Sequence, residues 1–159
     1  MRGHMRLKKY ILTSLFLIGI SFSSNALGVP VGIRSNNMGN LHGDYPSHWL
    51  GAISTDRYHY LRFSSPYYGM RAMRINLEAY YYKHHLHTVR QIASRWVRKP
   101  CNIQQTADLE NYMAGVAQRA GVGKDDRLWL EDKYMMIKLC KAIVYGEQGE
   151  NPYPDSLYE

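Results

Sequence analysis

Glu147 is the residue whose setting most suggests chemistry. It ends the apolar helical run Lys138-Leu139-Cys140-Lys141-Ala142-Ile143-Val144-Tyr145-Gly146 and is followed by Gln148-Gly149-Glu150-Asn151-Pro152-Tyr153. Met136, Cys140, Ile143 and Glu147 recur at i, i+4, i+7 and i+11, so they share one helical face. The carboxyl then lies at the core-facing edge of a helix about to end, with Gly149 suited to a left-handed cap and Pro152 barring continuation. Apolar surroundings disfavour the charged form and hold a carboxyl protonated towards neutral pH. Beside a cleft, such a group is a general acid. An exposed acid at a helix end is the plainer reading of this stretch alone, and both readings stay open at this point.

A second group lies far upstream. Arg34-Ser35-Asn36-Asn37-Met38-Gly39-Asn40 is dense in side chains that make several hydrogen bonds at once. Arg34, Asn36, Asn37 and Asn40 suit the hydroxyl and acetamido groups of a sugar, although Asn and Ser also close turns on their own backbone. Trp49 and Tyr58 can stack on a sugar face, or belong to the core. Asp56 opens Asp56-Arg57-Tyr58-His59-Tyr60-Leu61-Arg62-Phe63, a partly alternating stretch that reads as a hairpin strand. It is the candidate second carboxylate; as a turn residue it would instead pair with Arg57 or Arg34.

These groups need a frame. From Leu27 to Ser64, Gly28, Gly32, Gly39, Gly43 and Gly51 with Pro30 and Pro46 break any helical period, so loops and short extended pieces are predicted. Ser65 and Pro66 open a helix carrying Met70, Met73, Leu77 and Tyr80 at helical spacing. Tyr80, Tyr81 and Tyr82 cannot all face inward, so part of this helix is exposed or lines a groove. His84, His85 and His87 end it, and read as C-terminal partners of the helix rather than metal ligands. Thr88-Val89-Arg90-Gln91 is a capping box opening a second helix with Val89, Ile92, Ala93 and Trp96 on one face, stopped by Pro100. A third runs from about Ala107 to Ala120 with Leu109, Tyr112, Met113, Val116 and Ala117 inward. The fourth, from about Leu130 to Gly146, delivers Glu147. The predicted fold is mainly α (α+β): one helical domain behind a short loop and β-hairpin region.

Residues 2–9 carry Arg2, Arg6, Lys8 and Lys9 and no acid, Tyr10 to Phe22 is an apolar run too short to span a bilayer comfortably, and Ser24-Asn25-Ala26 offers small residues for cleavage. Residues 1–26 therefore read as a secretory signal peptide and 27–159 as a periplasmic or secreted domain, tied to the membrane only through that peptide. The formal net charge is +7, but four of the cations lie in the signal, leaving 16 Lys and Arg against 13 acids. A surplus of that size makes no case for nucleic acid and would suit an anionic polymer such as a cell wall. Cys101 and Cys140 are expected to pair in an oxidising compartment, the alternative being two buried thiols. Their spacing fits no zinc pattern, and neither metal nor cofactor is expected.

Gly32-Ile33-Arg34-Ser35-Asn36-Asn37-Met38-Gly39-Asn40 resembles the Gly-Ile-Arg-Asn-Asn-Asn-Pro-Gly-Asn signature of a phage virion and prophage protein family, labelled structural or lytic proteins after the virion lysin of an enveloped double-stranded RNA phage (a cystovirus). The resemblance continues in order through Trp49, Gly51, Phe63, Pro66, Gly69, Arg71 and Ala72, then Thr88-Val89-Arg90, Ile92, Trp96, Tyr112, Val116, Ala117 and Gly121-Val122. It ends at Glu147, Gly149, Pro152 and Tyr153, and so covers nearly all of residues 27–159. Gly146 stands where that family commonly has His.

Glu147, Asn151 and Pro152 are also similar to the Glu-Ser-x-x-Asn-Pro box of lytic transglycosylases, with Gln148 in place of the Ser. Asn36-Asn37 followed by Trp49, Gly51 and Phe63 resembles the order of elements after the catalytic helix in flagellar-type glucosaminidases. In both groups the acid-bearing helix comes first, whereas here it comes last, as in a circular permutation of a lysozyme-like domain. The resemblance implies cleavage of peptidoglycan glycan strands with Glu147 as general acid. Asp56 would position water for hydrolysis, or the substrate's own acetamido or hydroxyl group would close on the reacting carbon in a transglycosylase. Arg34, Asn36, Asn37, Asn40, Trp49, Tyr58, Asn151 and Tyr153 would hold the glycan. Two alternatives remain: a non-catalytic wall-binding or virion-like structural protein, and a peptidoglycan endopeptidase, for which the sequence offers no Cys-His or metal constellation.

Overall fold

A computed structural model describes residues 28–97 and 103–159. The predicted signal peptide and Cys101 lie outside the described residues. In order the chain forms α1 (Val31–Arg34), β1 (Ala52–Thr55), β2 (Leu61–Phe63), α2 (Pro66–Glu78) continued by a π-helical turn (Ala79–Lys83), α3 (Val89–Trp96), α4 (Ile103–Ala120), α5 (Lys133–Gln148) and a 3-10 turn (Asp155–Leu157). The described chain is thus mainly helical, with one small antiparallel sheet of β1 and β2.

α5 is the central element. Asp132 caps it by accepting the Tyr134 N–H at 2.9 Å. The Asp132 N–H itself turns back to the Trp129 carbonyl, so the helix starts at Lys133 rather than near Leu130. Met136, Cys140 and Ile143 are buried, on the face that the apolar period predicted, and Leu139 and Val144 widen the buried surface beside them. Gly149 ends the helix in the left-handed conformation (φ 75°), its N–H bonded to the Tyr145 carbonyl at 2.8 Å. The long α4–α5 interface, with α3 against α4, encloses Val116, Ala117, Leu139 and Ile143.

Local chemistry sets the other boundaries. Thr88 caps α3 as the sequence predicts, accepting the Gln91 N–H at 3.2 Å. The Gln91 side chain, however, reaches the His87 N–H at 2.7 Å rather than that of Thr88. Of the three consecutive tyrosines, Tyr81 points inward and donates its hydroxyl to Glu131 at 2.7 Å, Tyr82 is exposed, and Tyr80 is half-buried. The hairpin differs from the predicted strand at Asp56. Asp56 Oδ1 accepts the N–H groups of Tyr58 and Tyr60 at 2.8 and 3.0 Å, which makes 56–60 a turn and delays the strand to Leu61. Cys140 is a buried free thiol, its pKa pushed up to about 12 by burial.

Candidate active site

Glu147 sits in the last turn of α5, half-buried, with both carboxyl oxygens engaged. The Tyr112 hydroxyl donates to Oε1 at 2.8 Å, and the Asn40 side-chain amide donates to Oε2 at 2.9 Å. The Trp96 indole N–H adds a further favourable interaction with the carboxylate. Four separate segments therefore meet at one carboxyl: the loop after α1, the end of α3, the middle of α4 and the end of α5.

Each partner is positioned by a local feature. Tyr112 approaches from α4 because Gly146 leaves room for it: a Cβ on Gly146 would lie 2.9 Å from the edge of the ring. Asn40 is presented by a loop clamped from several sides. Gln148, buried beside the acid, donates to the Met38 carbonyl at 2.9 Å and to Asn40 Oδ1 at 3.2 Å. That second bond fixes the Asn40 amide with its NH2 towards Glu147. Asn37 is buried and acts as backbone glue, donating to the carbonyls of Leu41 and Leu61 and accepting the Leu41 N–H. Asn36 donates to the Phe63 carbonyl at 2.9 Å. The same loop rests on α2 at Gly69, where the Asn36 carbonyl fills the position of any Cβ.

Two effects oppose each other at the carboxyl. Burial disfavours its charge, while the donors Asn40, Tyr112 and Trp96 favour it. Burial wins, and the pKa of Glu147 is raised above the ordinary carboxylate range. The C-terminal end of α5 adds to this, because the partial negative charge of the last carbonyls repels an anion. Tyr112 stays protonated, held well above the usual phenol range first by burial and then by the adjacent Glu147. Its hydroxyl can accept a bond from protonated Glu147 or donate one to the carboxylate, whereas the Asn40 NH2 can only donate. The site thus accommodates both protonation states of the acid.

Glu147 opens into a cleft of about 760 Å³ lined also by Asn40, His42, Trp96 and Val97, and by the hairpin turn residues Arg57 to Tyr60. A second cavity of about 270 Å³ shares Asn40, His42 and Trp96 with it and extends to Trp49, Asn76, Tyr80 and Arg95. The two adjoin through those shared residues as one groove beside the acid, with Tyr58 lining the larger part and Trp49 the smaller. Among the described residues that line either cavity, Glu147 is the only carboxyl.

Of the residues predicted for the site, Glu147, Asn40, Trp49 and Tyr58 come together along this groove. The others have different positions. Asp56 lines neither cavity; burial acts to raise its pKa, but the Tyr60 and Tyr58 N–H groups outweigh it and hold the carboxylate below its usual range. Arg34 is exposed at the end of α1 and also lines neither cavity. Asn36 and Asn37 spend their amides on the backbone of β2 and of their own loop. Asn151 accepts the Tyr158 hydroxyl at 2.7 Å and the Tyr153 N–H at 3.4 Å, and Tyr153 packs on the main core. Tyr112, Trp96, His42 and Gln148 were not predicted as site residues. Tyr112 and Trp96 read in sequence as inward helical positions, and their approach to the acid is set by the packing of α3 and α4 against the end of α5. No model of a known protein family and no curated protein matches this chain.

Proposed function

We propose that the chain is an exported enzyme that cleaves the glycan strand of peptidoglycan between N-acetylated amino sugars, with Glu147 as its general acid. The observation that carries this reading is a half-buried acid of raised pKa in the wall of a groove that, among the described residues, no second carboxyl lines. A polymer can lie along such a groove, with Tyr58 in the larger cavity and Trp49 in the smaller as stacking surfaces. The resemblance to phage lytic proteins and to the lytic-transglycosylase box supports the same assignment, as does the leader-like character of residues 1–26 for a periplasmic or secreted site of action. In this reading the domain is lysozyme-like, with its acid-bearing helix moved from first to last.

The single carboxyl favours the transglycosylase course over hydrolysis. Glu147 gives its proton to the glycosidic oxygen as the bond from that oxygen to the anomeric carbon breaks. The positive charge that develops on the sugar ring is met by a hydroxyl of the same sugar, which forms the new bond to the anomeric carbon. The Glu147 carboxylate, stabilised meanwhile by Tyr112, Asn40 and Trp96, then takes back the proton that hydroxyl loses. The product is an anhydro sugar, and no water is consumed. General acid–base catalysis of this kind contributes about 10²- to 10⁴-fold.

Mass spectrometry of purified peptidoglycan digested by the chain tests this, with Glu147→Gln alongside. Anhydro-sugar ends that disappear in the variant are the expected result. Reducing ends would make the enzyme a hydrolase. If neither protein releases fragments while both are folded and bind sacculi, the chain is a wall-binding protein, a role compatible with the donors that favour the Glu147 carboxylate.

A further inference from the structure

The smaller cavity has a charge that cleavage of a neutral sugar bond does not require. Arg95, near the end of α3, lines it together with Trp49, Asn76, Tyr80 and Trp96. Its guanidinium lies over the Tyr80 ring, 5.2 Å from the centroid, and its Nη2 is 3.3 Å from His84 Nε2. A guanidinium donates only, so His84 must accept there with a neutral ring. Burial and the charges of Arg95, Lys83 and His85 all push His84 in that direction. His84 thus contributes no negative charge, and no carboxylate pairs with Arg95 among the described residues. Arg74 and Arg90 have Glu78, and Glu110 with Asp125, respectively, whereas Arg95 resembles Arg57, which stacks on Tyr58 in the larger cleft with no carboxylate beside it among the described residues. Arg95 is an exposed cation stacked on Tyr80, with no carboxylate partner among the described residues, and it lines a chamber that shares Asn40 and Trp96 with the Glu147 cleft.

We propose that this chamber receives a carboxylate borne by the lactyl-peptide substituent of the glycan, with Arg95 as its cation, so that the enzyme prefers peptide-bearing strands to bare sugar polymers. The inference rests on the glycan-cleaving reading above and specifies its substrate. An Arg fork binds a carboxylate through two parallel N–H bonds, and stacking on Tyr80 holds the fork in place. Two sources can supply the group: carboxylates of the stem peptide, or the lactyl carboxylate itself where the peptide has been removed.

The test uses the full chain carrying Glu147→Gln, so that binding is read without turnover, through fluorescence titration of Trp49 and Trp96. Three probes of equal sugar length are compared: a neutral chitooligosaccharide, a peptide-stripped peptidoglycan strand and a peptide-bearing strand. The acidic strands are expected to bind about tenfold more tightly than the neutral one. Adding Arg95→Ala should abolish that gain, so that the acidic strands bind no more tightly than the chitooligosaccharide, and Arg95→Lys should keep part of it. A gain confined to the peptide-bearing strand assigns the stem peptide as the source; a gain shared by the stripped strand assigns the lactyl carboxylate. If Arg95→Ala leaves the preference intact, or weakens all probes equally, the anion site is wrong though the groove still binds glycan. If no probe binds the Glu147→Gln chain, the glycan reading itself fails and takes this inference with it.

Discussion

The Tyr112 hydroxyl lies 2.8 Å from Glu147 Oε1, while the edge of the Tyr112 ring occupies the space a side chain at Gly146 would need. One aromatic residue on α4 therefore reads two neighbouring positions of α5: it contacts the backbone at one and holds the carboxyl at the next. This pairing makes the protonation of Glu147 depend on the fit between two helices.

Tyr112→Phe keeps the ring and removes the donor. Glu147 should then hold its proton to higher pH, because a group favouring its charged form has gone. The alkaline limb of the pH–rate profile should move upward, while the maximal rate falls about tenfold or more as the carboxylate left after proton transfer loses a partner. A profile superimposable on that of the parent would remove Tyr112 from the mechanism.

Gly146→Ala tests the steric half of the relationship. Alanine improves helix propensity by up to about 1 kcal/mol, yet its Cβ would lie 2.9 Å from the ring and displace the hydroxyl. Activity should drop much more than melting temperature. Pairing the change with Tyr112→Ala should produce no further loss beyond Tyr112→Ala alone, since the two act through one contact. Additive losses would show that Gly146 matters for another reason.

Glu147 also leaves a signature in stability. Its folded-state pKa is raised above the unfolded value, so the folded state binds the proton more tightly. Its contribution is fully present below the unfolded pKa of about 4.3 and is lost as pH rises through the folded value. Glu147→Gln, which cannot ionise and still meets both neighbours, should remove this decline and melt at a higher temperature than the parent at pH 7. Parallel melting curves from pH 4 to pH 8 would show that Glu147 is not held in the uncharged form.

Asp56→Asn separates one-acid from two-acid chemistry. The amide oxygen can still accept the Tyr58 and Tyr60 N–H groups, so the hairpin turn survives and most of the activity should remain. Asp56→Ala should lower thermal stability by loosening the turn. Loss of catalysis by Asp56→Asn in a chain of unchanged stability would restore Asp56 as the second carboxylate.

Gly69→Ala should be the most damaging of these changes to the fold. The added methyl meets the Asn36 carbonyl, a backbone atom that cannot swing aside. A destabilisation of about 3 kcal/mol or more is expected from denaturant unfolding. The residue touches no cleft atom, so a stable Gly69→Ala chain with reduced activity would mean that the loop had shifted Asn40 instead.

The helical frame was legible because apolar spacing and caps agree in this chain. Thr88 and Gly149 sit where their chemistry places them, and the face Met136-Cys140-Ile143-Glu147 reads directly from period, whereas the start of α5 waits for the Asp132 cap that the period alone does not show. The uses of individual polar side chains were less legible. Asn36, Asn37 and Asn40 look alike in sequence, but the first two meet backbone carbonyls and only the third reaches the acid. Which one did so depended on Gln148 from a helix more than a hundred positions away. Asp56 was ambiguous for the same reason: a carboxylate that tightens a turn and one that faces substrate share one letter, and the neighbouring N–H groups decide between them.

The bond between Asn40 and Glu147 spans 107 positions of the chain. During synthesis at about 5–20 residues per second, the acid follows its amide partner by roughly 5–20 s. Until α5 has been made and has docked, the Asn40 amide lacks both Glu147 and the Gln148 that orients it. A nascent or truncated polypeptide that lacks α5 consequently lacks the whole carboxyl site, and the helix made latest is the one that completes it.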